Sequence, residues 1–147
     1  MAERFRTMAF SIDTERLSLR LRTKHDAECN LELLREHEGG TALSIGEVEQ
    51  RMVEQNERAQ VDGFGPFEKP EIAYEVLPQF RGHSYATEAA RAVIKAAFAT
   101  GRKRLWATVG TWNAPSFRVL EKNAFHTHHS DCDERGEFAW MVRSAAN

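Results

Sequence analysis

The stretch "EIAYEVLPQFRGHSYATEAARAVIKAAFATGRKRLWATV", residues 71 to 109, constrains the fold more than any other. Residues 71–77 are rich in β-formers and lie between Pro70 and Pro78, which predicts a strand. Ala86, Ala89, Ala90, Val93, Ile94, Ala97 and Phe98 then recur at three- and four-residue steps. That spacing predicts an amphipathic helix with a narrow face of small residues, capped by Gly101. "RLWATV", 104–109, reads as the next strand. A strand–helix–strand unit within one sheet is a right-handed crossover, so strands 71–77 and 104–109 are expected to be parallel. The class is therefore α/β or α+β, a mixed sheet flanked by helices.

The rest of the chain fits round this unit. Residues 1–14 read as a loose N-terminal arm. "RLSLRLR" alternates, with Leu17, Leu19 and Leu21 on one side, and predicts a half-buried strand. A helix over 24–38 would bury Ala27, Leu31 and Leu34 and stop at Gly39-Gly40. Ser44 to Glu47 fits a capping box for a second helix running to about residue 58. Residues 113–123 predict a short helix that tolerates Pro115 in its first turn. Residues 125–130 and 137–143 predict two closing strands joined by "DERGE". At 147 residues the chain is expected to be one domain, 1–147.

Composition excludes several classes. A net charge of −2 argues against nucleic acid as a partner. The two cysteines are too few for a disulfide framework, and no apolar run is long enough for a signal peptide or a membrane span. A cytoplasmic setting follows as the expectation.

The approach to the long helix carries the chemistry. A helix N-terminus presents backbone N–H groups without intrahelical partners, and the macrodipole favours an anion there. Gly82 lets a ligand approach the backbone, Arg81 and His83 add donors, and Ser84 at the N-cap is small. Residues 79–86 therefore suit a phosphate or pyrophosphate, the alternative being a turn that binds nothing.

"YEVLPQFRGHSYATEAARAVIKAAF" followed by "LWATVGTWNAPSFRVLEKNAF" resembles the GNAT superfamily of acetyl-CoA-dependent N-acyltransferases, and within it the branch of ribosomal-protein N-terminal acetyltransferases. The family's Gln/Arg-x-x-Gly-x-Gly/Ala signature reads Gln79-x-x-Gly82-x-Ser84, and its Asn-x-x-Ser element reads Asn113-Ala-Pro-Ser116. The resemblance spans roughly residues 13 to 143.

The resemblance implies that strands 71–77 and 104–109 splay apart and that the pantetheine arm of acetyl-CoA lies in the gap. It implies backbone contacts from Val76 and Leu77, a pyrophosphate wrapped by Arg81, Gly82, His83, Ser84, Tyr85 and Ala86, and an Asn113 contact to the arm. It implies direct attack of an amine on the thioester, with the Leu77 N–H facing the oxyanion. Ser116, with Tyr85 second, would donate a proton to the leaving thiolate. Glu75 or Glu71 would be the base; both could equally be solvent-facing charges, and Ser116 could simply cap its helix. The co-substrate is acetyl-CoA with no metal, and the partner is an amine acceptor.

Three departures stand out. Ser84 occupies a Gly/Ala position. Ala124 stands where a left-handed glycine is expected, with Asn123 able to take that conformation one residue earlier. "AQVDGFGPFEKP" is too short for the family's central two-strand hairpin. Either the first strand moves beside 71–77, or another subunit pairs with the edge as a homodimer, or the edge stays open. A catalytically weak module that binds coenzyme A or a protein is the alternative function. A phosphate-binding domain outside the family is a third.

His126, His128 and His129 lie near Asp131 and Cys132. In a regular strand 126 and 128 face one way and 129 the other, and the spacing matches no standard zinc pattern, so they read as edge polar residues. Cys132 lacks an activating partner. Trp106, Trp112 and Trp140 read as core or pocket walls. Arg102, Lys103 and Arg104 read as a solvated basic step, or one near the ribose phosphate.

Overall fold

A computed structural model describes residues 11–29, 31–32, 44, 46–47, 49–50 and 70–145. The expected course of the chain over 33–43 and 51–69, including the rest of the first two helices and the abbreviated hairpin region, lies outside the described residues.

Within them, the crossover unit organises the molecule. Helix α1 (Tyr85–Ala99) leads through Gly101, at φ 99°, into strand β3 (Arg104–Gly110). Helix α2 (Ala114–Lys122) follows, then β4 (His126–Asp133) and β5 (Gly136–Ser144). The three strands form an antiparallel sheet in the order β3-β5-β4. The closing strands are longer than expected, because Asp133 and Gly136 still pair across a tight Glu134-Arg135 turn.

The alternation of β3 decides which face is covered. Leu105, Ala107 and Val109 face the helices, with Met141 and Ala139 opposite the last two on β5. Ala90, Ile94 and Ala97 of α1 and Leu120 of α2 complete this core with Ile72 and Phe125. The alanines let α1 lie close to the sheet, and Ile94, Leu105, Leu120 and Met141 are fully enclosed.

The parallel pair is present but short. The Ile72 N–H donates to the Trp106 carbonyl and the Trp106 N–H to the Pro70 carbonyl, each at 2.8 Å, around a parallel bridge between Glu71 and Trp106. Residues 72–77 then carry no ladder, which corrects the continuous strand expected over 71–77. The reason is divergence: a cavity separates residues 71–75 from the far half of β3.

The last residues of the expected arm, 11–14, are also corrected, while 1–10 lie outside the described residues. Strand β1 (Ser11–Asp13) forms a hairpin with β2 (Ser18–Arg20), and leucines 17, 19 and 21 are half-buried as their alternation requires. Glu88 of α1 ties this hairpin down. Its carboxylate accepts from the Thr14 hydroxyl, the Arg16 N–H (2.9 Å) and Arg16 Nε (2.7 Å). Among the described residues no ladder joins Ser18–Arg20 to 71–77. Ala27 and Leu31 are buried as expected, after a single 3-10 turn at Lys24–Asp26. The Ser44 hydroxyl accepts the Glu47 N–H at 3.2 Å, as a capping residue should. Arg102 is buried with Nη1 2.7 Å from the Thr100 hydroxyl, so it is not part of a solvated step. No helix among the described residues is long and apolar enough to cross a membrane.

Candidate active site

Pro78 opens a 3-10 turn (Pro78–Phe80) that ends the diverging segment and delivers the chain to Gly82. Gly82 is left-handed at φ 83°, and a Cβ there would meet nothing within 4 Å. The glycine is required by backbone conformation, and the space before it is open. Ser84 is left-handed too, at φ 61°. It is the N-cap of α1, yet its side chain makes no capping bond. The first N–H groups of α1 therefore rise from a loop with two left-handed residues, a concave arrangement that suits an anion.

A groove of about 860 Å³ runs from this loop to α2. Val76, Arg81, Gly82, Ser84, Tyr85 and Ala86 line one wall, with Asn113 and Ser116 on the other. Leu77, Gln79 and His83 are not among its lining residues. His83 instead stacks on Tyr85 at 5.3 Å, and the Arg16 guanidinium sits 4.8 Å from the centroid of the same Tyr85 ring. Arg81 Nε donates to the Val76 carbonyl at 3.0 Å, so the side chain expected to meet the pyrophosphate instead engages a backbone group expected to face the pantetheine arm.

A second cavity, about 490 Å³, occupies the divergence between residues 71–75 and β3 and extends to Phe138 and Trp140 on β5. The two cavities share Tyr74, Glu75, Trp112, Asn113, Ser116 and Arg135. Glu75 thus reaches both, whereas Glu71 lines only the second and its carboxylate accepts from the Thr108 hydroxyl at 3.1 Å. Trp112 stands at the junction, 71% exposed. Its indole lies across Gly110, where a Cβ would fall 2.5 Å from Nε1, so glycine is needed for this close approach.

Asn113 Oδ1 caps α2 by accepting the Ser116 N–H at 3.3 Å. Ser116 is therefore not the cap. Its hydroxyl lies 3.0 Å from the Tyr74 hydroxyl, which also donates to the Ser116 carbonyl at 2.8 Å. Tyr74 is half-buried, and that burial raises its pKa, partly offset by the Ser116 bond. Sequence reasoning missed Tyr74. Its alternation with Ile72 and Val76 marks the inward face, but only the fold reveals a partner 42 residues away. Arg118, Lys122 and Arg135 also line the groove and were not singled out.

The family model of the GNAT acetyltransferase domain matches residues 4–126. The chain belongs to that family. Among solved structures it is similar to ribosomal-protein-S5-alanine acetyltransferase from Vibrio fischeri, with a TM-score of 0.75 at 15% identity, covering 91% of this chain and 96% of the other. A GNAT-family acetyltransferase from Bacillus anthracis gives 0.73 at 19%, covering 91% and 98%. Mycobacterium smegmatis RimJ, solved with CoA-disulfide, gives 0.72 at 16%, covering 87% and 81%. At these identities the likeness is one of fold. No curated protein sequence matches.

Proposed function

We propose that this acetyltransferase moves an acetyl group from acetyl-CoA to a primary amine by direct attack. What carries the reading is the meeting of two cavities at Tyr74 and Ser116: one built for an anionic, extended ligand, the other leading to the same point from the sheet. The N–H groups around Gly82 and Ser84 would hold the pyrophosphate, and the free amide NH₂ edge of Asn113 would face the arm while its oxygen caps α2. Acetyl-CoA supplies an activated thioester carbonyl and a good leaving group. The Leu77 N–H would stabilise charge on the carbonyl oxygen. Ser116 would pass a proton to the departing sulfur, with Tyr85 the second candidate.

Glu75 is the better base, since it lines both cavities and Glu71 is engaged by Thr108. The second cavity is lined by four carboxylates, those of Glu71, Glu75, Asp133 and Glu137, against one guanidinium, that of Arg135. That balance suits an acceptor with positive charge.

The test is calorimetric titration with acetyl-CoA, followed by an acceptor screen that detects free thiol. A Gly82→Trp variant fills the open space in front of the loop and should abolish binding. Gly82→Ala introduces only the φ penalty, of about 1–2 kcal/mol, and should bind more weakly without losing the site. Failure of the wild type to bind would end the reading. Binding without turnover against any amine would favour the module that holds coenzyme A without catalysis.

A further inference from the structure

The histidines of β4 do not alternate as a regular strand would have them. Thr127 pairs with Met141 and His129 with Trp140, so His128 is an extra residue, a β-bulge. The bulge turns both imidazoles to the face of the sheet that carries Trp106 and Trp140. His128 meets Trp106 edge-on at 5.1 Å, and His129 stacks on Trp140 at 5.9 Å and 16°. The two tryptophans pack against each other at 6.1 Å. Each histidine is thus braced by a large ring, yet both remain exposed to solvent. Their Nδ1 atoms converge to 2.7 Å.

We propose that His128 and His129 form a two-nitrogen site for a divalent late transition-metal ion, Ni²⁺ or Cu²⁺. The separation is compatible with neighbouring ligands on one ion. With metal–nitrogen bonds of about 2.05 Å, nitrogens 2.7 Å apart subtend about 82° at the metal. That is close to the right angle between neighbouring ligands of a square-planar or octahedral ion. A tetrahedral zinc ion would need them about 3.3 Å apart. Without metal, one Nδ1 carries a proton and donates it to the other. The ion takes the place of that hydrogen bond, and the Nδ1 proton moves to Nε2 of its own ring, so both rings hold hydrogen on Nε2 and no net proton is released. No group of three His, Cys, Asp or Glu among the described residues is placed to hold a metal, so water fills the remaining positions. The site lies on the surface, and neither histidine lines either cavity.

The experiment uses the full chain without a histidine tag, in a Cys29→Ser, Cys132→Ser background that removes the two exposed thiols. Ni²⁺ is titrated by calorimetry and by tryptophan fluorescence. One ion should bind per chain and quench emission, because the site touches the rings of Trp106 and Trp140. His128→Ala and His129→Ala should each weaken binding by about a hundredfold, since either change reduces a chelate to a single imidazole. His126→Ala should leave it unchanged, and Zn²⁺ should bind more weakly than Ni²⁺. His129→Gln, which keeps a planar polar group beside Trp140, guards against an effect on folding. Absence of one-to-one binding, binding that survives the double alanine variant, or tighter binding of Zn²⁺ would overturn the proposal.

Discussion

Ala124→Gly should stabilise the protein. Helix α2 ends in a complete Schellman motif: the Phe125 N–H bonds to the Leu120 carbonyl and the Ala124 N–H to the Glu121 carbonyl, both at 3.0 Å. Leu120 and Phe125, the two residues that accompany this motif with an apolar contact, are both in the core. The motif requires a left-handed residue at Ala124, which stands at φ 64°. The expectation that Asn123 could take this role is not met, since Asn123 keeps φ −99° as the C-cap. It is fixed instead by burial and by its amide nitrogen, 2.9 Å from the Val119 carbonyl. A left-handed alanine costs about 1–2 kcal/mol. Glycine returns about 0.4–1 kcal/mol of that through the greater freedom of its unfolded chain. The methyl group is exposed, so its loss removes no packing. The net gain is about 0.5–1 kcal/mol, or about 1–4 °C in Tm for a chain of this size. Urea and thermal unfolding should show a higher midpoint with an unchanged m-value. An equal or lower midpoint would refute the claim that strain is stored at this residue.

Other outcomes follow from the same geometry. Tyr74→Phe should lower kcat by about tenfold or more with little change in acetyl-CoA affinity, because it removes the hydroxyl that holds Ser116; an unchanged kcat would sever Tyr74 and Ser116 from the chemistry. Burial raises the Tyr74 pKa above its ordinary 10.0, so its contribution is intact below that pH and lost as pH rises through the raised value. The Phe variant should therefore lose less stability than the wild type in alkaline urea titrations. Glu88 is shifted the other way, to about 2, chiefly by the Thr14 hydroxyl and then by Arg16. Its stabilisation is present above pH 4.5 and disappears as pH falls toward about 2. The midpoint gap between wild type and Glu88→Gln should close over that window, and a constant gap would count against the hairpin anchor.

The crossover unit was legible because its signals are local and agree. Small residues at helical spacing, a glycine at each end and alternation in β3 all specify the same arrangement. The loop glycine was legible for the same reason, and the Asn113–Ser116 element through its resemblance to a family motif. What could not be read depends on tertiary partners. Residues 71–77 have the composition of a strand, and their divergence from β3 was expected only through the family resemblance, because pairing depends on what β3 does beside them. Tyr74 acquires its meaning only when α2 brings Ser116 against it. The His128 bulge defeats any argument from alternation, since one inserted residue reverses the parity of everything on one side of it. Trp112 reads by type as core or pocket wall, and only the fold places it at the cavity junction, across a Gly110 that has no side chain.

The same backbone strain occurs twice, and its location gives the two cases different meanings. Ala124 lines neither cavity, so relieving it should raise stability alone. Ser84, at φ 61°, lines the groove and begins α1 without capping it. Ser84→Gly should give a similar gain of about 0.5–1 kcal/mol. It should also affect acetyl-CoA affinity, because the N–H groups that follow Ser84 are the ones proposed to meet the pyrophosphate. A glycine there loosens their arrangement in the free protein, and the ligand must then order them at a cost in entropy. The expected pair of results is higher Tm with weaker binding for Ser84→Gly, and higher Tm with unchanged binding for Ala124→Gly. If both variants bind acetyl-CoA as the wild type does, the left-handed serine is strain without consequence for the site, and the anion-holding role of this loop must rest on Gly82 and its neighbours alone.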